Sequence, residues 1–267
     1  MTLSMAGVSY RYAGAISESL RTANFVIEPG RVVGLVGANG AGKSTLCLCA
    51  VGLAPNIIGG ALTGTVKIDG RDTKDTKAYE LAQHAGILFQ EAYTQITSGA
   101  PTVWEEIAFG PRNLSLPHDE VVSRTWSAIE SLGLTAIIDR DPNRLSGGQA
   151  QLVALAAVIA LGPRYLVLDE PTSQLDPLGT RLVGDTLIKA AKESGVGVLI
   201  AEHKTDLLAR MCDDIAVISA GSIVARGPTV EMLGHPALRE WGVAPPAEVA
   251  LRQAVVAAGL SWRGEWP

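Results

Sequence analysis

The segment Gly37-Ala38-Asn39-Gly40-Ala41-Gly42-Lys43-Ser44 limits what this chain can fold into more than any other stretch, because it fits G-x-x-x-x-G-K-[ST]. That spacing carries meaning only where a buried strand feeds it and a helix leaves it. Both flanks are present: Arg31–Val36 is apolar and β-branched and reads as a strand, and Lys43–Val51 reads as the helix that follows. In that setting the glycines let backbone N–H groups converge on phosphate oxygens, and the helix N-terminus adds partial positive charge. Lys43 is expected to reach the β- and γ-phosphates of a nucleotide and Ser44 to give an oxygen to Mg2+, with Asn39, Ala41 and Thr45 completing the cradle. A flexible glycine-rich turn is the bland alternative, and it leaves both flanks unexplained.

A second chemical feature is Tyr165-Leu166-Val167-Leu168-Asp169-Glu170, an apolar strand that delivers two adjacent carboxylates at its C-terminal end. In an open α/β sheet that end is where ligands sit. Asp169 suits the outer shell of Mg2+, and Glu170, on the other side, suits polarising an attacking water. A strand ending in Asp-Glu on its own is more often a solvated helix cap; beside a phosphate loop the catalytic reading dominates.

Further strands are expected at Thr65–Asp69, Gly86–Gln90 and Gly197–Glu202, with a hairpin of Ile215–Ala220 and Ile223–Arg226 turning at Gly221-Ser222. Helical spacing marks Glu120–Leu132, Gly147–Leu161, Thr180–Ser194 and Ala247–Ala258. Strands alternating with helices predict an α/β fold around a largely parallel, buried sheet. Stretches rich in Gly, Pro and small residues at Asn56–Gly64 and Ser98–Pro101 suggest boundaries. The tail from about Pro228 reads as an appendage, so the expected division is 1–228 and 229–267, with a helical subdomain at about 95–160.

Composition narrows the function. Charged residues make up 18% of the chain and apolar ones 47%, so a sizeable core is available and disorder is not expected. The net charge of −5 argues against broad nucleic-acid binding. Cys47, Cys49 and Cys212 give no disulfide framework, and the first two lack companions at metal-ligand spacing. The opening MTLSMAGVSY shows no basic region followed by an apolar core, and the apolar run Leu152–Leu161 is about half of the ~20 residues that span a bilayer. A cytoplasmic location is expected, with any membrane role supplied by partners.

Leu145-Ser146-Gly147-Gly148-Gln149 decides between the remaining readings. A serine and two glycines opening a long helix again build an anion-binding N-terminus. Alone it is a helix cap; lying between the phosphate loop and the Asp-Glu strand, it has the motif order of the ATP-binding-cassette (ABC) ATPases, which the chain resembles from Val8 to about Pro228. The resemblance implies a P-loop fold with a largely parallel core sheet, an antiparallel β subdomain and a helical subdomain. It also implies roles. Tyr12 is similar to the aromatic that stacks on adenine, Gln90 to the glutamine that touches Mg2+ and water, and His203 to the histidine at the γ-phosphate. Ser173-Gln174-Leu175-Asp176 is similar to the loop that communicates across a dimer, with Asp176 among the nucleotide contacts. Two such domains would pair head to tail, each placing Ser146, Gly147, Gly148 and Gln149 over the other's ATP, so that no arginine finger is needed.

Within that family, Phe89-Gln90, Thr94-Gln95-Ile96 and Val103-Trp104-Glu105-Glu106-Ile107-Ala108-Phe109-Gly110 resemble the energy-coupling-factor importers, as do Asn113–Pro117, Ala201-Glu202-His203-Lys204 and Gly242-Val243-Ala244-Pro245-Pro246. This implies a peripheral subunit at the cytoplasmic face of the membrane, with a second ATPase (a copy or a related chain), an integral membrane partner and a substrate-binding membrane subunit for a vitamin, vitamin precursor or metal ion. Leu152 stands where the family usually has a basic residue, and Glu91-Ala92-Tyr93 replaces an acidic-Pro-acidic stretch. The first should alter helix packing and the second the shape of the coupling groove. Trp241, Trp262 and Trp266 of the tail read first as packing against the domain, with contact to a second ATPase or to the membrane interface as alternatives, and Trp104-Glu105-Glu106 reads as part of a partner groove or of a plain amphipathic helix. The competing function is a soluble ABC ATPase acting on nucleic acid or ribosomes, but those usually carry two cassettes or long coiled coils, which are not visible here. An exporter engine and a nucleotide kinase fit less well.

Overall fold

In the computed structural model the described residues are 1–259, and they build two sheets. The strands are β1 (Leu3–Arg11), β2 (Leu20–Ile27), β3 (Val32–Val36), β4 (Ala61–Ile68) and β5 (Arg71–Asp72), then β6 (Ala85–Leu88), β7 (Tyr165–Asp169), β8 (Gly197–Ala201), β9 (Asp214–Ser219) and β10 (Ser222–Pro228). The helices are α1 (Lys43–Ala50), α2 (Leu53–Asn56), α3 (Ala78–Leu81), α4 (Val103–Asn113) and α5 (His118–Ser131), then α6 (Gly147–Ala160), α7 (Pro177–Ser194), α8 (Thr205–Met211), α9 (Thr229–Leu233) and α10 (Ala247–Ala257).

The six-stranded sheet runs β10-β9-β3-β8-β7-β6, and every pair in it is parallel except β10 with β9. Helices cover both faces, which is why every residue of β3, β7 and β8 is buried and none of the three alternates. Side-chain alternation divides β3 between two cores: Val33 and Leu35 pack with Leu46, Cys47 and Cys49 of α1, whereas Val32 and Val36 pack with Val183 and Leu208 on the other face.

The second sheet, β2-β1-β4-β5, is antiparallel throughout. The sequence reading caught only part of β4 and neither β1 nor β2. The reason is local: Gly7 takes φ 58°, and the pairing register of β1 with β2 shifts between Met5 and Val8, so the period of two is broken mid-strand. The expected hairpin also differs by one residue. Its turn is Ala220-Gly221, both at positive φ (46° and 84°), as a tight turn compatible with strand twist requires.

Helices α4, α5 and α6 pack on one another beyond the β6 edge of the sheet. Thr102 caps α4 by accepting from Glu105 N, and Ser146 caps α6 in a reciprocal box with Gln149. Helix α6 is apolar on nearly every side, with Ala150, Val153, Ala154, Leu155, Ala156 and Val158 buried, so it is a core element rather than a surface one. Leu152, standing where a basic residue was expected, is half-buried against that core. Helix α4, which carries Trp104-Glu105-Glu106, is amphipathic, and Glu106 lies on its buried face at 3% exposure. Past the expected boundary at 228, Met232, Leu233, Leu238 and Val243 belong to the main core, and Trp241 stacks on His235 at 4.8 Å. Trp262 and Trp266 lie outside the described residues. No helix among the described residues is long and apolar enough to cross a membrane.

Candidate active site

The C-terminal ends of the parallel strands open on a cleft of about 700 Å³ lined by Asn39, Gly40, Gly42, Lys43, Ser44, Thr45, Gln90, Glu170 and His203. Its floor is the loop from β3 to α1. A Cβ on Gly37 would stand 2.2 Å from the Ile218 carbonyl oxygen, and Gly42 holds φ +110° with Ser19 O where its Cβ would go. Only glycine satisfies either position. Lys43 is buried, and its Nζ donates to the carbonyls of Gly37 (2.9 Å) and Ala38 (3.1 Å), which folds the loop around the ammonium. Burial pushes the Lys43 pKa down, opposed by the carboxylates of Glu170 and Asp169, so a bound polyanion would find a cation already held in place.

Asp169 closes β7 at 6% exposure, and its Oδ1 has no hydrogen-bond partner. Burial raises its pKa, the Ser44 hydroxyl opposes that, and the Glu170 charge adds to it. A buried, unpartnered carboxylate oxygen next to a serine hydroxyl and a phosphate loop has the donor chemistry a hard divalent cation needs, so Ser44, Asp169 and Gln90 fit Mg2+.

Glu170 sits at φ 50°, a strained position for a non-glycine residue, anchored by its N–H to Ala201 O at 2.8 Å. That conformation turns its carboxylate into the cleft, where Gln90 Nε2 donates to Oε2 at 2.9 Å and His203 Nε2 lies 3.2 Å from Oε1. Three residues named from separate parts of the sequence therefore meet on one carboxylate. Tyr12 does not itself line the cleft; its hydroxyl lies 3.2 Å from Thr45 Oγ1, which does, and its ring is edge-on to Tyr10. Ala41 and Gly37 lie beneath the cradle, buried.

The remaining candidates are elsewhere. Ser146, Gly147, Gly148 and Gln149 do not line this cleft. They open α6, with Gly147 and Gly148 pressed against Gln174. The Asp176 side chain is engaged as the N-cap of α7, accepting from Gly179 N at 2.7 Å, and also stays out of the cleft.

Sequence reasoning missed the opposite wall, formed by Ser17, Glu18, Ser19 and Arg21 with the Ala220-Gly221 turn. Arg21 N donates to Gly221 O and Gly221 N to Ala41 O, so the hairpin turn braces the phosphate loop. It also missed the work of Glu202, which is 3% exposed. Glu202 Oε1 accepts from His203 N (2.8 Å) and Lys204 N (3.3 Å), and its Oε2 accepts from Thr172 Oγ1 (2.6 Å). An acidic residue at a strand end gives no sequence signal that it faces inward.

Comparison with known proteins identifies the family. The profile of the family described as ABC transporter matches residues 20–173. A putative ABC transporter ATP-binding protein of Pyrococcus horikoshii is 37% identical over 95% of this chain and 89% of its own length. The energy-coupling factor transporter ATP-binding protein EcfA of Methanosphaera stadtmanae is 40% identical over 81% of this chain and 76% of its own. Some relatives are longer: the chain spans 40% of a Methanosarcina mazei putative ABC transporter ATP-binding protein. Among solved structures, CbiO1 of Clostridium perfringens, described as part of the ABC transporter complex CbiONQ, superposes with a TM-score of 0.76 at 29% identity, covering 94% of this chain and 98% of that one.

Proposed function

Because this chain belongs to the ABC transporter family, as an ATP-binding subunit with ATPase activity, we propose that it drives an importer of the energy-coupling-factor kind, taking up a vitamin, a vitamin precursor or a metal ion. The observation that carries the catalytic part is the convergence of Gln90 and His203 on Glu170 at the rim of the phosphate cradle. The importer part rests on likeness to EcfA and CbiO1.

In this reading the backbone of Gly37–Ser44 and the Lys43 ammonium bind the triphosphate of ATP, Thr45 supports the loop, and Tyr12 faces the base. Ser44, Asp169 and Gln90 hold Mg2+, which screens the phosphate charge when bound. Glu170 takes the proton of the attacking water as its oxygen closes on the γ-phosphorus, and His203 steadies that water and the phosphate, leaving ADP and inorganic phosphate. Ser146–Gln149, remote from their own cleft, serve the cleft of a second subunit, so ATP joins two subunits head to tail and its hydrolysis releases them. A membrane subunit docked on the α4 side would convert that closure into transport. The site of action is then the cytoplasmic face of the membrane.

The test is a mild-detergent pull-down of the tagged protein from its native membranes, with partners identified by mass. An integral membrane subunit is expected, accompanied by a small substrate-binding one. Recovery of soluble or ribosomal proteins alone would overturn the importer reading in favour of a soluble ABC ATPase.

A further inference from the structure

The stretch between Gln90 and α4 is held at three points. Close to the strand end, the Gln95 side chain imitates a neighbouring strand: its Oε1 accepts from Phe89 N at 3.1 Å and its Nε2 donates to Ile87 O at 2.7 Å. At the far end, the buried Glu106 of α4 accepts from both Thr97 N (2.9 Å) and Thr97 Oγ1 (2.7 Å). Just before both, the single turn Ala92–Thr94 buries Ala92 in the same core as Leu145 and Val153. Tyr93 lies in that turn and is 49% exposed, so apolar burial does not account for its orientation. Its hydroxyl does: it donates to the Leu145 carbonyl at 2.5 Å, 52 residues along the chain.

Leu145 directly precedes Ser146, whose capping box sets the first turn of α6. The segment Ala92–Gln95 is therefore bonded on one side to Ile87 and Phe89, which lead into Gln90, and on the other to the Leu145 carbonyl, which adjoins Ser146. We infer that Tyr93 is a positioning residue that fixes the Ser146–Gln149 segment relative to Gln90, so that the loop meeting this subunit's own nucleotide and the loop meeting its partner's move as one body. The inference rests on the head-to-tail pairing proposed above. It gives Tyr93 a role in assembling the two-subunit site and none in binding ATP to a single subunit, because the side chain does not line the cleft.

The test starts from Glu170→Gln, which keeps ATP but cannot take the proton of water, and measures Mg2+-ATP-driven dimerisation of the full chain by sedimentation. Adding Tyr93→Phe removes one hydroxyl. Dimerisation should weaken about three- to ten-fold, the loss expected of one preorganising hydrogen bond, while ATP affinity of the monomer stays within about two-fold. Tyr93→Leu should match Tyr93→Phe, since apolar burial of this half-exposed residue contributes little. In the otherwise native chain, Tyr93→Phe should lower kcat and leave the KM for ATP in place. If the double variant dimerises as well as its parent, or if Tyr93→Leu is much worse than Tyr93→Phe, the tether is not the operative contact and the inference falls alone. If the Glu170→Gln parent stays monomeric with Mg2+-ATP, the pairing itself is wrong and the inference falls with it.

Discussion

At the scale of single residues, the cleft is built from groups that are costly to the empty protein. Asp169 combines burial at 6% exposure with an unpartnered Oδ1 and a pKa raised above the ordinary 3.8, first by desolvation and then by Glu170. A carboxyl whose folded pKa lies above its unfolded value binds more protons when folded in the window between the two. Stability therefore falls as pH rises through that window, and the whole penalty is present at neutral pH. Replacing Asp169 with Asn removes the charge and keeps the shape. At pH 7 to 8 the nucleotide-free Asp169→Asn protein should melt roughly 2–4 °C above the native one, and the gain should vanish near pH 3.8 and below. The same variant should lose Mg2+-dependent ATPase activity. Thermal melts across pH, with and without Mg2+-ATP, check both halves: the native protein gains midpoint from Mg2+-ATP and the variant does not. A variant less stable than its parent at neutral pH would show that Asp169 is satisfied in the empty protein after all.

At the scale of elements, Glu202 ties two loops together: the turn carrying His203 from β8 into α8, and the turn carrying Thr172 out of β7. Lys204 repeats the tie from outside, with Nζ donating to Thr172 O at 2.7 Å and Thr180 Oγ1 at 3.1 Å. Glu202→Gln leaves one acceptor where there were two, so either the His203 turn or Thr172 loses its partner. His203 should then drift from Glu170. Steady-state kinetics should show kcat reduced about ten-fold, as for a misplaced catalytic group, with the KM for ATP within about two-fold because Lys43 and the phosphate loop are untouched. An equal rise in KM would mean that Glu202 supports binding instead. Elements also explain what was readable in the sequence. The buried runs of β3, β7 and β8 and the capped, apolar α6 announce themselves because local pattern and tertiary position agree. β1 and β2 do not, since the shift between Met5 and Val8 hides their alternation until β4 is in place.

At the scale of the whole molecule, the legible and illegible parts of the site divide by sequence distance. The phosphate loop and the Asp169-Glu170 pair are contiguous and can be found by spacing. Gln90, Glu170 and His203 could be named by their motif contexts, but their meeting depends on strand order β8-β7-β6, which no local stretch encodes. Glu202, Glu106 and Tyr93 act across 30, 9 and 52 residues, and their importance exists only after folding. The same logic applies one level higher: Ser146–Gln149 do not line their own cleft, and under the head-to-tail pairing proposed above a single subunit would hold half of two sites. This can be tested by complementation between two inactive chains. Lys43→Met destroys a cleft and leaves Ser146–Gln149 intact. Ser146→Arg obstructs the α6 N-terminus, at a cost of about 1 kcal/mol for the lost cap, and leaves the cleft intact. Each variant alone should hydrolyse ATP at background rate. Mixed in equal amounts, half of the pairs are hybrids, and each hybrid carries one site built from an intact cleft and an intact α6 N-terminus, so activity should recover to about a quarter of the native rate if the two sites fire independently. Recovery that grows with protein concentration identifies a second copy of this chain as the partner. If the mixture stays at background while Ser146→Arg still binds ATP, the partner is a different chain or the pairing is not head to tail.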